Sequence, residues 1–350
     1  MSCVLGIETT CDETACAVVE DRRIVRSNVI RTQIDLHQKY GGVVPEIAAR
    51  AHIEWLNDIV AQAMKIAGVN AEDISGIAVA NCPGLVGCLL VGVSAAKALA
   101  FAWDKPLVGV NHVHAHLYAG FLIPPKSLHK ASAVLPESPQ LPAVGLVISG
   151  GHTTLYEVQT FNSLRRLGST IDDAAGEAFD KVAAILQLGY PGGPLVENLA
   201  CGGRADVVKF PLSLLGKQSL DFSFSGLKTA VLYHVNGQGG AQRTSADLTP
   251  RQRADTAAAF QRVVAEILEI KVRRAMEAVS PRSLIVGGGV SANGTIRNCL
   301  QRVADAANIP LYLPPMAYCT DNAAMIAGLG AELLESGHCA DLDLSAIATA

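Results

Sequence analysis

Three histidines in five residues, His112, His114 and His116 in NHVHAHLYAG, are the densest metal-binding chemistry in the chain. On a helix, positions i and i+4 share a face, so His112 and His116 would meet one ion while His114 points away. On a strand all three would share a face. The strand-like PLVGV before them and the helix-like LYAGFL after them favour the helical pair. Two histidines leave coordination positions open, so a distant carboxylate is needed to complete the site. A nitrogen and oxygen set of that kind suits iron, zinc or manganese. A zinc peptidase of the HExxH type needs glutamate after its first histidine, and Val113 stands there instead.

The second constellation is a turn. Asp12 and Glu13 stand side by side in TTCDET, flanked by the hydroxyls of Thr9, Thr10 and Thr14. Acidic residues favour solvated turns in any case, but carboxylates at the mouth of an apolar hairpin can also accept a proton or orient a nucleophile. A third group follows in TIDDAAGEAFDKVA. There Asp173, Glu177 and Lys181 recur at intervals of four, as an ion-paired outer helix face would, and Asp180 falls on a different face. Gly192 and Gly193 after Pro191 could press backbone against a ligand. Ser223, Ser225 and Lys228 around Gly226 would suit an anion, and an ordinary surface turn explains them equally well.

These residues need elements to hold them. CVLGIETTCDETACAVVED reads as strand, polar turn, strand, and AVGLVISGGHTTLYEVQ repeats that shape around Ser149-Gly150-Gly151-His152. Two such hairpins suggest a duplicated α/β unit. SLIVGGGVSAN is a strand running into a glycine turn, with a helix expected from about Ala292, where free backbone amides can approach a phosphate or ribose. Thr320-Asp321-Asn322 is a helix-capping cluster before AAMIAGLGAELL. Gly84 to Trp103 is apolar apart from Lys97, and its glycine, serine and alanine content argues for a buried helix rather than a membrane span.

The chain has 350 residues, half of them hydrophobic and 17% charged, which excludes disordered, collagen-like and disulfide-miniprotein classes. Nine cysteines without CxxC spacing, and an N-terminus lacking a basic segment before an apolar run, point to a reducing cytoplasm. The net charge of −4 excludes a protein that grips nucleic acid over its whole surface. Residues 21–39 are the clearest basic stretch, with Arg22, Arg23, Arg26, Arg31 and Lys39 against Asp21 and Asp35. If nucleic acid binds, this stretch or a partner protein is expected to meet its phosphates.

Taken in order, GIETTCDETACAVV, PEIAARAH, NCPGLVGCLLVG, the His112/His116 pair, VISGGHT, TIDDAAGEAFDKVA, YPGGP, DFSFSGLKTAV, GGVSAN and CTDNAAMIA resemble the bacterial tRNA N(6)-adenosine threonylcarbamoyltransferase family, once described as O-sialoglycoprotein endopeptidases. The resemblance runs from about residue 3 to residue 336. It implies an α/β fold of the actin-like class (sugar kinase, Hsp70, actin), two duplicated lobes with an active-site cleft between them. The expected division is an N-terminal lobe at 1–123, a proline-rich loop at 124–142, a C-terminal lobe at 143–319, and a helix and tail at 320–350 returning to the first lobe. By the same resemblance His112, His116 and Asp321 would hold one divalent ion, iron foremost, with zinc or another divalent ion as alternatives. Val147, Ile148, Ser149, Gly150, Gly151, Asp180, Gly193 and Asn293 would contact the nucleotide-bearing substrate.

The implied reaction moves threonylcarbamoyl from threonylcarbamoyl-AMP to the exocyclic amine of the adenosine 3′ of the anticodon, in tRNAs reading codons that begin with A. Asp12 or Glu13 would orient that amine or take its proton. The implied partners, besides tRNA, are a smaller non-catalytic paralogue and a P-loop ATPase, and no membrane. Three rival readings are a metallopeptidase, an actin-like ATP-dependent sugar or acyl kinase, and a non-catalytic subunit. Val113 argues against the first, and the histidine pair against the other two.

Overall fold

A computed structural model describes residues 2–125, 139–237 and 244–349. The chain divides into two compact units, one formed by Met1–Ser138 with Pro314–Ala350, the other by Pro139–Leu313. Most of the proline-rich stretch expected as a loop at 124–142 lies outside the described residues.

In the first unit, β1 (Cys3–Glu8), β2 (Glu13–Glu20) and β3 (Ile24–Thr32) are followed by a single turn, α1 (Ile34–His37), and a long helix, α2 (Pro45–Ala67). Then come β4 (Ile74–Cys82), α3 (Val86–Trp103), β5 (Leu107–Asn111) and α4 (His112–Tyr118). The second unit holds β6 (Ala143–Ile148), β7 (Thr153–Thr160), β8 (Ser163–Ser169), α5 (Ala175–Ile185), α6 (Gly192–Ala200), α7 (Ser225–Asn236), α8 (Pro250–Val279), β9 (Ser283–Gly287), α9 (Gly294–Ala306) and β10 (Leu311–Tyr312). The last helix, α10 (Ala323–Glu335), belongs to the first unit and packs across β1.

The two sheets repeat one topology. Their strand orders are β3-β2-β1-β4-β5 and, read in the same sense, β8-β7-β6-β9-β10. In each, a six-residue first strand pairs antiparallel with the second and parallel with the fourth. This is the duplication expected from the two hairpins. β1 and β6 are buried along their whole length, which explains why they read as unbroken apolar runs. Gly6 is needed on β1 because a Cβ there would lie 2.5 Å from the Ala323 carbonyl oxygen, so only glycine lets α10 cross this closely.

Two details depart from expectation. α3 is apolar and long enough to cross a membrane by length and composition, yet only 33% of it is buried. It buries Cys88, Leu89, Gly92, Val93, Ala96 and Ala100 and leaves Val86, Leu90 and Phe101 exposed. The turn after β9 is also longer than expected, since residues 289–292 form a 3-10 turn and α9 starts only at Gly294.

Candidate metal centre and substrate loops

α4 starts where it does because Asn111 caps it, its side-chain oxygen accepting from the amides of Val113 (2.9 Å) and His114 (3.1 Å). That cap puts His112 and His116 on one face, with ring centroids 4.8 Å apart and planes crossed at 83°. Asn322 caps α10 in the same way through Met325 N, and so fixes Asp321 immediately before the helix. Asp321 Oδ1 lies 3.1 Å from His116 Nε2 and 3.5 Å from His112 Nε2. The three ligand atoms fall within 4.8 Å of one another, so the trio expected from the resemblance is brought together.

The donor set fits a divalent cation. The fully buried His116 has no partner for Nδ1, and its Nε2 has only the Asp321 carboxylate beside it at 3.1 Å, so a cation taking the lone pairs of both ligand atoms would satisfy the pair. Burial opposes charge on His112, but Glu8 and Asp321 outweigh it and hold its pKa well above the ordinary histidine value. Burial likewise works against the Asp321 charge, and the two histidines overcome it, keeping the carboxyl well below its usual range. His114 points elsewhere, and burial lowers its pKa to about 4.

Glu8 is the residue that sequence reasoning missed. It ends β1 fully buried, its Oε2 2.8 Å from His112 Nδ1 and its Oε1 accepting from the amide and hydroxyl of Thr10. A carboxylate on Nδ1 fixes the proton there and leaves Nε2 free to ligate, as outer-shell carboxylates do in histidine metal sites. The available signal was a single ionisable residue within an otherwise apolar strand.

Asp12 and Glu13 sit at the β1–β2 turn, two and three residues past Thr10, whose hydroxyl also lies 3.3 Å from His112 Nδ1. Glu13 accepts from Thr32 Oγ1 at 3.3 Å. Burial first, then the charges of Asp321 and Asp12, push the Glu13 carboxyl up to about 10.

The remaining expected residues lie in the second unit. Val147 and Ile148 are buried in β6 and paired with its neighbouring strands, so they support the turn that follows. Ser149, Gly150 and Gly151 form the following turn, closed by Ser149 N to His152 O (2.8 Å), and side-chain positions at both glycines would be open space. The turn rests on the start of α5, where Gly176 N donates to Ser149 O. Asp180 accepts from the Gly192 amide at 2.7 Å and tethers the start of α6, and its pKa is raised chiefly by burial. Gly193 is open, whereas Asn293 is engaged at both ends, capping α9 through Ile296 N and donating to Gln261.

The suspected anion contact at Ser223, Ser225 and Lys228 is satisfied internally. Both hydroxyls and the amides of Phe224 and Ser225 donate to Asp172, while Lys228 pairs with Asp173. Lys181 joins Asp173 and Glu177, as their spacing suggested.

A family model for tRNA N6-adenosine threonylcarbamoyltransferase matches residues 24–328. The protein of that name from Symbiobacterium thermophilum is 50% identical over 344 residues, covering 98% of this chain and 95% of its own length. Among solved structures, HypF of T. kodakarensis aligns with a TM-score of 0.60 at 15% identity, over 98% of this chain and 49% of its own. Component A of (R)-2-hydroxyglutaryl-CoA dehydratase from Acidaminococcus fermentans aligns at 0.51 and 13% identity, over 95% of this chain and 98% of its own. Identities this low speak to the fold alone, which is the actin-like α/β class.

Proposed function

The chain belongs to the tRNA N6-adenosine threonylcarbamoyltransferase family and is a transferase; from that premise we propose that it transfers threonylcarbamoyl from threonylcarbamoyl-AMP to the exocyclic amine of the adenosine 3′ of the anticodon, in tRNAs reading codons that begin with A. The observation that supports this best is the convergence of His112, His116 and Asp321 beside a turn carrying two further carboxylates. The amine nitrogen forms a bond to the carbamoyl carbon, the bond from that carbon to the phosphate oxygen breaks, and AMP leaves with the electron pair. A mixed anhydride is already activated, so the protein's work is positioning, charge stabilisation and acceptance of one proton.

Asp12 or Glu13 orients the amine or takes that proton; with its carboxyl pushed up to about 10 and so protonated at neutral pH, Glu13 suits the orienting role. Gly150, Gly151 and Gly193 offer open backbone to the adenylate, Ser149 closes the turn that carries the first two, and Asp180 holds the α6 start in place. Val147, Ile148 and Asn293 support that surface from the sheet and from the α9 cap. A divalent ion, iron foremost, held by His112, His116 and Asp321 would supply Lewis acidity toward a substrate oxygen. We assign the protein to the cytoplasm, where its nine free cysteines fit a reducing setting, and to an assembly with a smaller non-catalytic paralogue and a P-loop ATPase.

The test is transfer of radiolabelled threonylcarbamoyl from purified threonylcarbamoyl-AMP onto an anticodon stem-loop RNA. Wild-type protein should yield modified adenosine and AMP in equal amounts, and His116→Ala should yield neither. Modification by the variant at the wild-type rate would overturn the ligand assignment. ADP released from ATP without modification would favour a kinase.

A further inference from the structure

His52, in the segment PEIAARAH, has no role in the chemistry above, yet it is fully buried and directed at the β1–β2 turn. Three successive carbonyls of that turn are each held by a different element. Thr10 O accepts from Leu85 N (2.9 Å) and Asp12 O from Gln33 N (2.9 Å). Between them, Cys11 O lies 3.0 Å from His52 Nε2, the one side-chain donor of the three.

The direction of that bond follows from a buried chain of hydrogen bonds that begins on the backbone. Val44 N can only donate, so His37 Nδ1 accepts at 3.3 Å and His37 carries its proton on Nε2. That Nε2–H donates to Gln33 Oε1 at 3.1 Å. The Gln33 amide is thereby oriented with its nitrogen toward Ala48 O (3.3 Å) and His52 Nδ1 (3.4 Å). His52 Nδ1 is then an acceptor, serving the Thr14 hydroxyl (2.7 Å) as well, and its proton sits on Nε2, facing Cys11 O. His37, Gln33, His52 and Thr14 are all fully buried, so water does not offer these groups substitute partners. Burial also holds the His52 pKa below its ordinary value, in keeping with a neutral ring.

We infer that His52 is a positioning residue for the transfer reaction: its Nε2–H, with a tautomer set by the His37–Gln33 relay, holds the Cys11 carbonyl and so fixes where Asp12 and Glu13 stand. This rests on the reading of Asp12 and Glu13 as the groups that handle the amine's proton. Removing the donor takes away the one side-chain tether of a half-buried carbonyl and leaves the turn free to shift, and a displacement of about 1 Å at a reacting group costs on the order of 100-fold in rate.

Two neutral substitutions separate the hydrogen bond from the volume of the ring. A glutamine amide nitrogen stands near the position of imidazole Nε2, and an asparagine amide near that of Nδ1. With metal-loaded, full-length protein, threonylcarbamoyl-AMP and anticodon stem-loop RNA, His52→Asn should lose roughly 10- to 100-fold in kcat. Its metal content and KM should stay near wild type, while His52→Gln keeps most of the wild-type kcat. Equal kcat for the two variants would overturn the positioning role, whether both are impaired or neither. Asp12→Ala and Glu13→Ala run in parallel: if both turn over like wild type, the proton-acceptor reading falls on its own, and the glutamine–asparagine contrast still judges His52. Where a variant does not fold, nitrogen-15 NMR of His52 in the wild-type protein decides instead. An Nε2-protonated ring supports the relay, and an Nδ1-protonated ring overturns it.

Discussion

Replacing Glu8 by glutamine asks whether the metal centre depends on one tautomer of His112. Glu8 Oε1 receives two donors from Thr10, one of them a backbone amide that cannot reverse, and Oε2 receives one from His112. In Glu8→Gln the amide oxygen therefore belongs on the Thr10 side, and the amide nitrogen faces His112 Nδ1. An N–H directed at Nδ1 is satisfied only if that nitrogen gives up its proton, which moves the proton to Nε2, the atom 3.5 Å from Asp321. A protonated Nε2 cannot ligate. To bind an ion the ring must return to its first tautomer and leave two N–H groups opposed in a buried site, at about 1–3 kcal/mol. At 1.4 kcal/mol per decade, the affinity falls by roughly 5- to 140-fold, which overlaps the 10- to 100-fold range typical of lost outer-shell partners. Stripped protein titrated with zinc against a chromophoric chelator measures this directly, and NMR of His112 reports the tautomer. A folded Glu8→Gln protein with wild-type zinc affinity would refute the reasoning.

Two further outcomes follow from the second unit. In Gly176→Ala the new Cβ would lie 2.6 Å from Ser149 O and 2.8 Å from Gly150 Cα, so the 149–151 turn must shift by about 0.8 Å to reach ordinary contact. Overpacking of this kind costs about 1–3 kcal/mol; the KM for threonylcarbamoyl-AMP should rise about tenfold or more, and an unchanged KM in a folded variant would remove this turn from the substrate site. Asp172→Asn weakens the cap of α7 and should destabilise the protein by about 1 kcal/mol. Burial works against the Asp172 charge, but hydrogen bonds from Ser223, Ser225 and Phe224 outweigh it and hold the pKa below its ordinary 3.8. A depressed carboxylate stabilises the fold above its unfolded pKa and loses that contribution as pH falls through the folded value. Denaturant unfolding of both proteins should therefore differ by a constant amount near neutral pH and converge below about pH 4; a difference that persists unchanged into acid would refute the capping role.

What was legible in the sequence depended on how local the determining physics is. The His112/His116 pair needs only four residues of helix and a cap from Asn111, so spacing sufficed. The duplicated sheets were legible through their first hairpins, because a strand buried on both faces leaves an apolar run that ends abruptly at a polar turn. Asp321 lies far along the chain, and only resemblance pointed to it, since nothing local distinguishes a ligand from the acidic residue of a helix cap. Glu8 was hidden for the opposite reason. It closes an apolar strand, and its partners come from a turn and from α4, contacts that exist only once β1, β4 and β5 are side by side. The serines at 223 and 225 show a further ambiguity: hydroxyls and free amides at a helix start bind an anion in either case, and here that anion is the chain's own Asp172.

The same ambiguity bears on how a protein of net charge −4 meets tRNA. Each arginine of the basic stretch already has a partner. Arg22 reaches Glu332 and Glu335, Arg26 reaches Glu20, Arg23 donates to the Phe121 carbonyl, and Arg31 lies over the Trp55 ring at 3.8 Å. Turning one of them toward a phosphate exchanges an existing contact for a new one, so the net gain is smaller than the charge count suggests. Exposed pairs of this kind are worth about 0–1 kcal/mol, which keeps the exchange open without making it a strong grip. Counterion release, the main source of affinity for nucleic acid, is greatest where cations begin without a protein partner. On the proposed function, the arginines of residues 21–39 would therefore add less to phosphate binding than their number suggests, and charge reversal of Arg22, Arg23 and Arg26 should weaken tRNA binding only modestly in a filter-binding assay.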